Sequence, residues 1–126
     1  MAKAKKKSAQ SKITQGSMTF TVDGEDYTLT ANLQAAIAIQ QKMDSFGLAL
    51  DAMKALNIEG MAVIWMASGN ATSLQKGREA VFEIGTINLM APLTEYIMLL
   101  TRGGRPLPEP TDEIKEAIEE VAAGNA

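Results

Sequence analysis

Phe20, Val22, Tyr27 and Leu29 are apolar or aromatic at alternating positions, and Thr19, Thr21 and Thr28 lie between them. This is the period of a half-buried strand pair. Asp23-Gly24 supplies the positive-φ geometry of a tight turn, and Glu25 and Asp26 keep its tip in water. Residues 18–29 are therefore predicted as a β-hairpin. A lone hairpin is marginal in water, so its apolar face must pack on helices or on another chain.

The period then changes. Asn32 is a good N-cap, and Leu33, Ala36, Ile37, Gln40 and Met43 come after it at helical spacing, with Gly47 placed as the stop. A second helix is predicted over 48–56, with Ala49, Ala52, Met53 and Leu56 on one side. After a break at 57–60, residues 61–67 are apolar nearly all round, the mark of a buried central helix. Core placement of Trp65 is favoured over an exposed interface position. Residues 68–73 read as a loop in which Ser73 caps the next helix, striped by Leu74, Ala80, Val81 and Ile84 and ended by Gly85. The last core helix is predicted from near 89 to 102, with Pro92 in its first turn and Leu93, Tyr96, Ile97 and Leu100 inward. Gly103-Gly104 stops it, and the Pro-rich stretch 105–110 is an extended linker. Beyond it, Ile114, Ala117, Ile118 and Val121 stand at i, i+3, i+4 and i+7 with acids opposite, an amphipathic helix able to dock on a partner.

The fold class implied by this pattern is mainly α with a β element (α+β): an N-terminal β-hairpin and a compact bundle of about four to five helices. Three regions are expected: a disordered basic arm at 1–17, a hairpin-plus-helix core at 18–104, and a linker with an acidic terminal helix at 105–126. Charge supports this division. The net value of −3 conceals Lys3, Lys5, Lys6, Lys7 and Lys12 without an acid in 1–17. Residues 108–126 carry Glu109, Asp112, Glu113, Glu116, Glu119 and Glu120 against Lys115 alone. The arm reads either as a solvated tail or as a weak attractor of nucleic acid, an acidic partner surface or the protein's own acidic end, the solvated tail being favoured. Binding of nucleic acid is not expected, because the arm lacks interleaved aromatic residues.

Candidate chemistry is sparse. The chain has no histidine and no cysteine, which removes disulfides, Cys/His zinc sites and the usual nucleophile–base pairs. Asp23, Glu25 and Asp26 lack the longer loop and distal bidentate acid of an EF-hand. No phosphate-binding glycine motif is present, and Lys76-Gly77-Arg78 reads as a solvated basic spot. The remaining core acids fall at solvent-facing positions, so no enzyme and no cofactor are expected. No apolar run is long enough to span a membrane, and the lysines at the start have no apolar stretch behind them. A cytoplasmic location is expected. Eight methionines offer adaptable apolar surface or core filler. The candidate protein-binding residues are Met43, Met53, Met61, Trp65, Met66, Met90, Met98, Ile114 and Ile118.

The order of elements resembles the tail assembly chaperones of long-tailed phages and gene transfer agents. The resemblance runs over 18–104. It starts with the hairpin Val-Asp-Gly-Glu-Asp-Tyr-Thr-Leu and a capped helix leading to Met-Asp-Ser-Phe-Gly-Leu-Ala-Leu. Then comes the apolar Met-Ala-Val-Ile-Trp-Met-Ala, and last a helix ending Tyr-Ile-Met-Leu-Leu-Thr-Arg-Gly-Gly. The lysine arm and the acidic terminus depart from that pattern. The resemblance implies a host-cytoplasmic protein that coats the apolar, helical tape measure protein, helps recruit tail tube protein subunits, self-associates, and leaves before the tail is finished. A structural virion component, such as a minor tail or head–tail joining protein, is the first rival. A small nucleic-acid-binding regulator using the arm is the second.

Overall fold

The computed structural model describes residues 11–106. It opens with three antiparallel strands in the order β1 (Ser11–Thr14), β2 (Ser17–Val22), β3 (Glu25–Thr30). The expected hairpin is β2–β3, paired as Met18↔Leu29 and Phe20↔Tyr27. Its turn has Asp23 at φ 52° and Gly24 at φ 82°, the double positive φ of a type I′ connection. The strand β1 is a correction, since it lies inside the stretch assigned to the basic arm. Ile13 pairs with Met18, and Gln15-Gly16 closes the turn with Gly16 at φ 85°. A β-branched residue beside a Gly turn outweighed the Lys/Ser composition around it. Residues 1–10 and 107–126, including the terminal amphipathic stretch, lie outside the described residues.

Met18, Phe20 and Leu29 bury one face of the sheet, while Thr19 and Thr28 join hydroxyls across the other at 2.9 Å. Five helices follow the sheet: α1 (Leu33–Met43), α2 (Phe46–Lys54), α3 (Ile58–Ala67), α4 (Leu74–Ile84) and α5 (Thr86–Thr101). Side-chain caps start four of them. Asn32 accepts from Ala35 N, Ser45 from Leu48 N, Asn57 from Gly60 N and Ser73 from Lys76 N, each satisfying an otherwise orphaned donor.

Three helix boundaries differ from expectation, one being the start of α3 at Ile58, capped by Asn57, inside the stretch 57–60 expected as a break. The first helix ends at Asp44 (φ 76°) and not at Gly47, because Ser45 starts α2 at once and takes Gly47 into its first turn. Pro92 is not in a first turn either. Helix α5 begins directly after Gly85, so Pro92 is internal and leaves the Asn88 carbonyl without its i+4 donor.

Helices α2, α3 and α5 share one C-terminal device. In each, the second residue past the C-cap bonds back across five residues: Asn57 N to Ala52 O, Asn70 N to Trp65 O, and Gly104 N to Leu99 O. These are Schellman ends, which need a left-handed residue at C′. Gly69 and Gly103 supply it for α3 and α5, but Leu56, expected on an apolar helix face, holds that position for α2 at φ 57°.

The central helix is α3, with Met61, Ala62, Val63, Ile64 and Trp65 all buried. Close approach explains two glycines. A Cβ on Gly77 of α4 would stand 2.8 Å from the Ala62 carbonyl oxygen, and one on Gly60 would stand 2.8 Å from the Ala52 Cβ. The sheet is tied to the helices by backbone bonds as well as by packing. Gly16 N donates to Gly104 O, Ala31 N to Gly16 O, and Thr30 N to Ser68 O. The buried Tyr96 hydroxyl donates to Thr30 O, and Asn70 Nδ2 to Thr28 O. The outer edge of β3 is therefore covered over residues 28–30 by the α3–α4 loop, which removes part of an edge that invites pairing.

Candidate protein-binding surface

Helical packing separates the predicted binding residues. Met53, Met61 and Trp65 are buried, Met43, Met66 and Met90 are half-buried, and Met98 is 42% exposed. Ile114 and Ile118 lie outside the described residues. A shared methionine surface is thus corrected to a largely internal role. Met43 shows why: its Cε reaches 3.0 Å from where a Gly60 Cβ would be, filling the gap that this glycine leaves between helices. Trp65, as expected, is in the core. It meets Phe20 and Tyr27 edge-on at 6.2 and 5.4 Å, while those two rings form a cross-strand pair at 5.5 Å.

Large apolar side chains do reach solvent, at other positions. Leu33 is 74% exposed and Ile37, one turn on, shares its side of α1; Leu48 of α2 is exposed too. The larger pair brackets the α4–α5 corner, where Phe82 is 77% and Ile87 67% exposed. Gly85 (φ 102°) makes that corner. It ends α4 by donating to Val81 O and begins α5 without any side-chain cap, turning the chain through 118°.

Beside the corner runs a groove of about 250 Å³ lined by Phe20, Thr21, Val22, Asp23, Ile87, Asn88, Ala91 and Pro92. Its floor is the apolar end of the hairpin, and its wall is the Pro-interrupted first half of α5. A second hollow of about 240 Å³ lies across the hairpin tip and holds Asp23, Glu25, Tyr27 and Glu83. Burial, and then the Glu25 carboxylate, push the Tyr27 phenol above its ordinary pKa. The corner thus offers exposed apolar surface with an acidic rim and an acceptor carbonyl at Asn88. Such a surface suits docking of another chain.

An exposed ion pair joins two of the helices. Arg78 grips Glu59 through Nε and Nη2 at 2.8 and 2.9 Å, linking α4 to α3. The Arg78 hydrogen bond holds the Glu59 carboxyl below its usual range. The basic spot at 76–78 is therefore occupied in part by an internal ion pair. Among the described residues, no three His, Cys, Asp or Glu side chains are placed to hold a metal ion. No single helix among them is long and apolar enough to cross a membrane.

Phe82 and Ile87 are the residues that sequence reasoning missed. Phe82 sits one position past Val81, about 100° around the helix from the buried stripe, so its off-stripe placement was a usable signal. Ile87 precedes position 89, the expected start of the last helix, whereas α5 begins at Thr86. Comparison of the chain with family models, with curated proteins and with solved structures finds no match.

Proposed function

We propose that this chain is a tail assembly chaperone, holding the apolar helical segments of a tape measure protein in the host cytoplasm before the tail tube closes around them. The observation that carries the reading is the exposed Phe82–Ile87 corner beside a groove of mixed polar and apolar lining. Burying a large apolar side chain contributes about 1.5–3 kcal/mol, so two such residues are a costly feature to leave in water without an occupant. The resemblance over 18–104 supplies the class of that occupant. A holding role needs apolar surface and no acid, base or nucleophile, in keeping with a chain that lacks His and Cys. Coating a long chain takes many copies, so self-association and handover to tail tube protein belong to the same proposal. Neither a membrane nor nucleic acid has a part in it.

Co-expression tests it. A fragment of tape measure protein that is insoluble alone should become soluble and co-elute with the chain. A fragment that stays insoluble, with no complex at any ratio, contradicts the proposal. The chain should also be missing from purified particles; a fixed stoichiometry there would identify a structural virion component instead.

A further inference from the structure

We propose that the groove between β1 and the C-terminal half of α5 is the docking site of this chain's own segment 111–122. The groove measures about 480 Å³ and is lined by Ile13, Thr94, Glu95, Met98, Arg102 and Pro106. Its apolar members come from both layers, Ile13 from the sheet and Met98 from the helix. Met98 is 42% exposed, although it sits among the buried Ile97, Leu99 and Leu100.

The path of the chain selects the occupant. Pro106 is the last described residue and forms part of the groove wall, so the chain beyond it departs from the groove itself. The next four residues, Leu-Pro-Glu-Pro, can reach no more than about 12 Å at roughly 3.1 Å per residue. That is enough to reverse direction past the end of α5 and too little to carry position 111 far away. A tether this short sets a local concentration of the order of millimolar, so even weak affinity favours the attached segment over a second copy.

The chemistry of the segment matches the groove. Ile114, Ile118 and Val121 recur on one side at i, i+4 and i+7, as a helix lying along α5 requires. Antiparallel to α5, Ile114 falls over Met98, and Ile118 over Thr94. Glu113, on one flank of that apolar face, then falls toward Arg102, and Lys115 on the other flank comes on the Glu95 side. Arg102 is already oriented at this end, its Nε donating to the Arg105 carbonyl at 3.2 Å. Docking covers Met98 and uses Ile114 and Ile118 within the chain instead of on a foreign partner. The inference stands apart from the chaperone reading, since it concerns a different face from the Gly85 corner.

A chain without cysteine allows a direct test in the full-length protein. The pair Met98→Cys with Ile114→Cys is compared with Ile87→Cys and Ile114→Cys under mild oxidation at low protein concentration. Both partners on α5 are exposed, so neither change disturbs the core, and they stand about 16 Å apart along the helix axis. The expected result is a monomeric disulfide that forms about tenfold faster at position 98 than at 87, the excess reflecting local concentration. Adding Ile118→Asp should remove that excess. Equal rates at 98 and 87, no disulfide at 98, or a band at dimer mass would each overturn the proposal, the last in favour of a second copy.

Discussion

Replacing Tyr96 by Phe removes one oxygen from a fully buried side chain and leaves the ring packing in place. The loss is the hydrogen bond to the Thr30 carbonyl at the end of β3. The neighbouring Thr30 N–H keeps its partner, Ser68 O at 3.0 Å, so the damage is confined to one acceptor. An acceptor stripped of its donor costs about 1–3 kcal/mol, and no cavity is added to that figure. The lower half of the range is expected, because Thr30 itself is exposed and water reaches it. Burial also raises the Tyr96 pKa above its ordinary value of 10.0. The phenol therefore ionises more readily in the unfolded chain, so its contribution is intact below pH 10 and is lost as pH climbs through the folded value. Urea unfolding of both proteins at pH 7 and at several values above 10 checks this. Tyr96→Phe should be less stable by about 1–2 kcal/mol at neutral pH, and the gap should narrow steadily in alkali. A gap that is absent at pH 7, or that widens above pH 10, refutes the reasoning.

Two glycine substitutions should act in opposite directions. Gly77→Ala drives a Cβ into the Ala62 carbonyl, and overpacking of about 1–3 kcal/mol should outweigh the helix-propensity gain. Gly47→Ala meets nothing nearer than Ser45 Oγ at 3.7 Å and should raise stability by about 0.5 kcal/mol; thermal melts compare the two. Leu56→Gly relieves a left-handed residue at a Schellman end and should stabilise by up to about 1 kcal/mol, whereas a loss on chemical unfolding would show that Leu56 packing outweighs its strain. The Glu59–Arg78 link should weaken as pH falls, because a carboxyl held below its usual range stabilises above the unfolded pKa and loses that contribution in acid. Glu59→Gln should accordingly flatten the acid limb of the stability profile.

Much of this architecture was legible because local signals agreed. Asn32, Ser73 and Gly85 marked boundaries by their own chemistry, and the all-round apolar run at 61–67 could only be a core helix. The misses have specific causes. Strand β1 was masked by Lys and Ser composition, although Ile13 and the Gln15-Gly16 turn carried the signal. In α1 the apolar residues 33 and 35–39 nearly encircle the helix, so periodicity identified a helix without fixing its inward side. Close packing chose Ala35 and Ile39 for burial and left Leu33 and Ile37 in water. The binding surface was the least legible part, since exposure is decided by which helices meet. Met53 and Met61 are indistinguishable in type from Met98 in the sequence, yet of the three only Met98 reaches the surface.

The central claim is that the Gly85 corner holds apolar helical chain. Its most direct test is the yield of soluble tape measure fragment on co-expression with Phe82→Ser/Ile87→Ser, compared with the unaltered protein. Both residues are exposed, so stability should change by no more than about 0.5 kcal/mol, and circular dichroism and melting confirm the fold. The account predicts that the double variant folds normally and loses the fragment to the pellet. A variant that keeps the fragment soluble as well as the parent does would contradict it.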